Sequence, residues 1–197
     1  MSPGKISSTT DTRYPEELFA YETLCYAGRL EFLDANGDVA VFTRRQTIRV
    51  TAPRLTVFLD RIWGEGVLFA DYWTAGLPIV EAARNRSGWV AILGLRRSYR
   101  KGEVVEIRTE RRIVGGFTQQ LEHWDSTMFA PTKWLSLEIS GAAAGRLRWP
   151  NLLAPAGDNV VGNDHRRQHK VDQDGKALSL IVREPEAHAP YRLQWNW

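Results

Sequence analysis

Arginine is the residue whose type and spacing point most directly to chemistry in this chain. It gathers in four short clusters. They are "TRRQTIR" (Arg44, Arg45, Arg49), "LRRSYRKGE" (Arg96, Arg97, Arg100, with Lys101), "RTERR" (Arg108, Arg111, Arg112) and "HRRQHK" (Arg166, Arg167, with Lys170). A guanidinium holds a permanent charge and a planar fork of donors that matches carboxylate and phosphate oxygens, and it stacks on rings. The second and third clusters flank Lys101-Gly102, which reads as a hairpin tip. The pattern therefore predicts one basic surface made of Arg96, Arg97, Tyr99, Arg100, Lys101, Arg108, Arg111 and Arg112. Arginine beside an aromatic ring suits phosphate, ribose or base contacts. It equally suits an acidic protein partner, or the protection of a sheet edge by charge. Glu103, Glu106 and Glu110 thread the same stretch and dilute the field that a nucleic-acid domain concentrates.

The other reactive residues assemble into no catalytic constellation. Cys25 has four histidines as conceivable partners, His123, His165, His169 and His188, but no local signature surrounds it. A mid-strand cysteine is expected as a small buried hydrophobe. His165 and His169 stand at i and i+4, a spacing that shares a metal only on a helix, and Gly162-Asn163 argues against one. The Asp34–Asp38 and Asp172–Asp174 loops carry turn chemistry without the closing glutamate of a calcium loop. No nucleophile elbow, phosphate loop or dinucleotide fingerprint is present. Glu106, Arg108, Glu110 and Arg112 alternate in sign opposite Val105, Ile107 and Thr109, the pattern of a charge ladder on the wet face of a strand. The expectation is no cofactor, no metal and no catalytic residue, a reading that leans against an enzyme.

The elements that must position these residues are strands. In "YETLCYAGRLEFLDANGDVAVFTRRQTIRV", Leu24, Tyr26, Leu30 and Phe32 share one parity. Asp34, Asn36 and Gly37 supply a turn, and Val39, Val41 and Thr43 resume the alternation, so the stretch predicts a β-hairpin. The same turn chemistry recurs at Asp172, Asp174 and Gly175. "PRLTVFLDRIWGEG" differs: Leu55, Phe58, Leu59 and Ile62 sit at helical spacing and predict one short helix near Pro53–Trp63. A succession of short apolar runs follows, each bounded by Gly, Pro, Asn or Asp. That rhythm predicts an all-β, mainly antiparallel fold, a β-sandwich or barrel-like sandwich. The Gly-, Ala-, Asn- and Pro-rich stretch 141–168 reads as a long connection. The chain's last run, "YRLQWNW", sets Tyr191, Leu193, Trp195 and Trp197 on one side of a strand, packed inward.

With 197 residues, the chain is expected to form a single β-sandwich domain over 18–197 behind a polar, flexible arm over 1–17. Net charge is +3, the sequence contains one cysteine and eight tryptophans, and the pI is near 9.2. No apolar leader and no run of membrane-spanning length appears, so the reading is a cytoplasmic protein with no membrane contact. The K-G-E turn, "RTERRIVGGF", "PTKWLSLEIS" and the closing Y-x-L-x-W-x-W strand together are similar to all-β accessory modules of multi-domain bacterial signalling and defence proteins. That resemblance implies a partner-binding role and assigns no residue.

Three functions are compatible with this pattern. The first is a non-catalytic interaction module, binding a protein partner or self-associating within a larger assembly. Its contacts would include whichever of Trp63, Trp73, Trp124 and Trp149 prove exposed. The second is a nucleic-acid or nucleotide binder that uses the basic stretch 96–112. The third is a small-ligand binder or enzyme, which requires a deep cavity lined by Trp and Tyr beside titratable groups of shifted pKa.

Overall fold

Alternation of apolar and polar residues with period two runs through most of the chain, and strands form wherever it does. The computed structural model describes residues 20–85, 88–143, 148–153, 167–171, 177–188 and 190–197. Among them are thirteen strands: β1 Tyr21–Phe32, β2 Val39–Val50, β3 Arg54–Trp63, β4 Val67–Thr74, β5 Ile79–Asn85, β6 Gly88–Arg100, β7 Val104–Val114, β8 Leu121–Thr127, β9 Trp134–Gly141, β10 Arg148–Leu153, β11 Arg167–Val171, β12 Leu178–Arg183 and β13 Pro190–Asn196. The fold is all-β. The described residues include no helix, and so none long and apolar enough to cross a membrane. The predicted arm over 1–17 lies outside the described residues, as does most of the predicted connection over 141–168, within which β10 falls.

The strands form one large sheet and two small ones. The large sheet has the order β11-β12-β9-β1-β2-β7-β4, and the small sheets are β10-β13-β8 and β3-β6-β5. Neighbouring strands run antiparallel throughout, except that β1 and β9 pair in parallel. Two hydrophobic cores result. One joins β1, β2, β9 and β12 to β13 through Phe32, Leu137, Leu180, Leu193 and Trp195. The other joins β2 and β7 to β3 and β6 through Ile48, Ile107, Phe58 and Leu93. The large sheet thus carries both cores side by side, each closed by a different small sheet. The predicted strand at the end of the sequence is β13, whose Tyr191, Leu193 and Trp195 are buried.

Three local expectations are corrected. The predicted helix at Pro53–Trp63 is strand β3. Its ladder with β6 is irregular between Leu55 and Val57, so Leu55 is buried before the irregularity and Phe58, Asp60 and Ile62 after it. This phase slip within a strand imitates the spacing of a helix. Cys25 is exposed, because a register shift between Thr23 and Cys25 turns it outward. The turn at Lys101-Gly102 exists: the Glu103 amide donates to the Arg100 carbonyl at 3.0 Å, and Gly102 takes a φ of +88°. The two strands it joins do not form a hairpin ladder. β6 pairs with β3 and β5, whereas β7 pairs with β2 and β4, so the chain passes there from a small sheet to the large one.

Candidate ligand cavity beside a buried charge cluster

Polar residues occupy the inward-facing positions where the two cores meet. On β2 the buried series reads Ala40, Phe42, Arg44, Gln46, Ile48, Val50. On β7 it reads Val105, Ile107, Thr109, Arg111, Ile113. On β3, Asp60 stands between Phe58 and Ile62. In each strand the residues on either side of the polar ones belong to different cores. Register aligns the polar stretches: Arg44 lies opposite Thr109, and Phe42 opposite Arg111. The large sheet therefore presents two arginines at this junction, and β3 presents a carboxylate to them.

The geometry is tight. Arg44 Nη1 donates to Asp60 Oδ1 at 2.7 Å, and the Tyr72 hydroxyl donates to Asp60 Oδ2 at 2.6 Å. Gln46 Nε2 donates to Thr23 Oγ1 at 2.9 Å. The Arg111 guanidinium lies 4.2 Å from the centroid of Phe42, and that of Arg44 5.1 Å from Phe58. Arg44 is 6% exposed, Arg111 9% and Asp60 0%. Two buried cations therefore face one buried carboxylate. Arg44 Nε, Arg44 Nη2 and Arg111 Nε have no acceptor among the described residues.

The titration of the neighbours follows from this charge. Burial pulls the Arg111 guanidinium below its ordinary value. Burial is the largest single influence on Arg44 and opposes its charge, but Asp60 together with Tyr26, Tyr72 and Tyr21 outweighs it, and the guanidinium is held above its usual value. The Tyr72 phenol is raised by burial first and by the Asp60 charge second, and Tyr26 by burial. Both remain neutral hydroxyls across the physiological range.

A cavity of about 210 Å³ opens beside the cluster. Arg44 and Arg111 line it together with Tyr26, Phe42, Leu68 and Trp124. Three carboxylates, Glu65, Glu122 and Asp125, and a third arginine, Arg61, also line it. Glu122 is buried, and burial raises its carboxyl while a backbone N–H from Gln119 partly opposes the rise. Asp125 is held by Arg192 through two contacts of 2.6 and 2.7 Å. Glu65, Gln119 and His123 in the lining are exposed, so the cavity meets solvent on that side. The arrangement offers a fixed positive charge with unused donors at one end, aromatic walls, and an acidic opening.

No family model and no curated protein matches the chain. Solved structures do. An M1 zinc metallopeptidase from Deinococcus radiodurans is 10% identical with a TM-score of 0.51, over 90% of this chain and 42% of that one. A putative nutrient binding protein from Legionella pneumophila is 8% identical with a TM-score of 0.56, over 90% and 67%. A putative protease from Parabacteroides distasonis is 10% identical with a TM-score of 0.51, over 90% and 40%. The chain thus spans less than half the length of the two peptidase-type structures. At such identities the likeness is one of fold.

The predicted basic surface is divided by the fold. Arg96 folds back on the carbonyls of Ala75 and Gly76, at 2.8 and 3.3 Å. Arg97 lies over the ring of Tyr99 and pairs with Glu103 at 2.9 Å. Arg100 and Lys101 are exposed at the turn. Arg108 and Arg112 point out from β7, with Arg108 paired to Glu106 at 2.6 Å, while Arg111 points in. Of the four tryptophans named as contacts, Trp73 is exposed and Trp63 and Trp124 are half-buried, both lining the cavity. His165 falls outside the described residues, and no group of three metal-ligating side chains occurs among those described.

Asp60 and Tyr72 are the functional candidates missed from sequence, and Arg44, noted there within a basic cluster, was left out of the predicted surface. Parity was the available signal, since Arg44 and Arg111 fall in phase with the buried residues of their own strands. An unmet buried donor costs about 1–3 kcal/mol. Replacing Arg111 with methionine, of similar reach, is therefore expected to stabilise the protein by about 1–2 kcal/mol. On that basis, thermal denaturation should show a midpoint raised by roughly 2–8 °C. A lowered midpoint would mean that the Arg111 charge is already compensated.

Proposed function

We propose that this chain is a non-catalytic binding domain that takes a small organic molecule into the cavity beside its buried charge cluster. The observation that carries this reading is the cavity itself: about 210 Å³, walled by aromatic side chains and polar at its end. A dry cavity of about 150 Å³ accommodates benzene, and drug-sized pockets run from about 300 Å³ upward. The space here suits a single ring with a short substituent. Two buried arginines beside one carboxylate support the same reading. A protein stabilised for its own sake does not leave such donors unmet, whereas binding sites often do. Dispersal of the basic residues over different faces gives the nucleic-acid reading less support.

The test is a thermal-shift survey of single-ring and short aliphatic compounds against the wild type and Leu68→Trp, in which the larger ring occupies the cavity. At least one class of compound should raise the wild-type midpoint by several degrees and leave the variant unmoved. A survey with no shift in the wild type counts against the proposal, as does an equal shift in the two proteins.

One observation favours a second reading, a protein-interaction or oligomerising module. Trp73 is 56% exposed on β4, the edge strand of the large sheet, and Leu33, Val67 and Val114 are also exposed. Apolar residues on a sheet edge are suited to pairing with another chain. The sedimentation coefficient of the purified protein, measured over a range of concentration, reads self-association directly.

A further inference from the structure

We infer that the ligand of this cavity is an organic monocarboxylate, with its carboxylate seated against Arg44 and Arg111; the inference rests on the cavity-binding reading above. Charge gives the first argument. Arg44 and Arg111 contribute two positive charges and Asp60, the carboxylate that acts on both, one negative, so this cluster has one cation in excess, while the buried Glu122 stands apart from it along the cavity wall. One anion seated against the two guanidiniums balances that local excess.

Geometry gives the second. Asp60 engages Arg44 through Nη1 alone, which leaves the Nε–Nη2 edge of the guanidinium without an acceptor. That edge carries two parallel N–H groups, the fork that receives the two oxygens of a carboxylate, and it lies just beneath the cavity surface, so a small turn of the guanidinium presents it to a ligand. Arg111 Nε supplies a third donor of the same kind. A lysine ammonium would present no such fork.

Selection between anions gives the third. A phosphate monoester carries nearly two negative charges at neutral pH. The Arg44–Asp60–Arg111 cluster has one charge in excess, and Glu65, Glu122 and Asp125 line the cavity beyond it against one further cation, Arg61. A second negative charge would lie unpaired beside them. A carboxylate leaves no such surplus. The cavity holds roughly a benzene ring and a small head group by the comparison with dry cavities of known capacity. Phe42 and Trp124 are placed to cover that ring. The expected class is thus aryl or short-chain aliphatic carboxylates.

Benzoate and phenylacetate, the amides of both, and phenyl phosphate are the probes, titrated calorimetrically into wild type, Arg111→Met and Arg111→Lys, each first shown to melt cooperatively. The carboxylates are expected to bind wild type at least tenfold more tightly than their amides. Arg111→Met should abolish that preference, and Arg111→Lys, which keeps the charge without the fork, should retain part of it. Amides that bind as tightly as the acids would overturn the carboxylate assignment and leave the cavity reading standing. Tighter binding of phenyl phosphate than of phenylacetate would overturn the monoanion. Should no probe bind, and Leu68→Trp behave as wild type in the broader survey, the cavity reading and the inference both fall.

Discussion

Replacing Asp60 with alanine is expected to cost about 3–5 kcal/mol of stability, the effect of removing one partner from a buried ion pair. The residue is fully buried on β3, and its two oxygens meet Arg44 at 2.7 Å and Tyr72 at 2.6 Å. Without it, two arginines would share the interior with no counter-charge, and the Tyr72 hydroxyl would lose its acceptor. The midpoint of thermal unfolding should fall by roughly 6–20 °C for a chain of this size. Pairing the change with Arg44→Met should recover much of the loss, because an apolar replacement of a buried pair is often neutral or better. Denaturant titration of the two single variants and the double variant gives the coupling directly. If Asp60→Ala unfolds within a degree or two of wild type, the charge cluster is hydrated and the account of the site fails.

Trp195→Ala is expected to cost a similar amount, about 3–5 kcal/mol, the range for deleting a buried aromatic residue. The residue is 0% exposed on β13. Its ring lies 6.1 Å from that of Phe32, 5.7 Å from Phe117 and 6.0 Å from Trp197, centroid to centroid. It therefore ties the last strand to β1 and to the segment before β8. Phenylalanine would keep part of this contact and should lose less than half as much. Equilibrium unfolding in urea, followed by the fluorescence of the other tryptophans, measures both. An alanine variant within 1 kcal/mol of wild type would show that the core collapses around the gap, since the residual cavity sets much of the loss.

Local chemistry explains what could be read in advance. The β1–β2 hairpin was legible because its turn organises itself: the Asp34 carboxylate accepts from the amides of Asn36 at 2.8 Å and Val39 at 2.7 Å. The charge ladder on β7 and the buried rings of β13 follow from alternation alone. What failed had a non-local cause. In β3, an irregular register gave a strand the spacing of a helix. At Lys101-Gly102 the residues specify that the chain turns, and nothing in them specifies which sheet the next strand will join. The parallel pairing of β1 with β9 has no short-range signature at all.

The site was half legible. Arg111 was singled out among surface cations, yet it alternates with Arg108, Glu110 and Arg112 and lies in phase with Ile107 and Ile113. Strict parity on β7 would have turned it inward. Arg44 and Gln46 follow Phe42 and precede Ile48 in the same way on β2. Asp60 was hidden because its segment was read as a helix, and a carboxylate on a helix of two turns invites no search for a partner across a sheet. Buried polar residues are rare enough that apolar patterning passes over them, and they are where function departs from it.

The parallel contact between β1 and β9 also bears on how the protein is made. Arg29 and Ser140, hydrogen-bonded across that contact, are 111 residues apart in sequence. A ribosome adds about 5–20 residues per second, so β1 waits several seconds or more for its neighbour after it is synthesised. A hairpin such as β1–β2 forms in about 1–10 μs. For nearly all of that interval the nascent hairpin offers an unpaired edge ending in Leu30 and Phe32, a template for any passing strand. A chaperone that covers that edge is expected to raise the yield of folded protein.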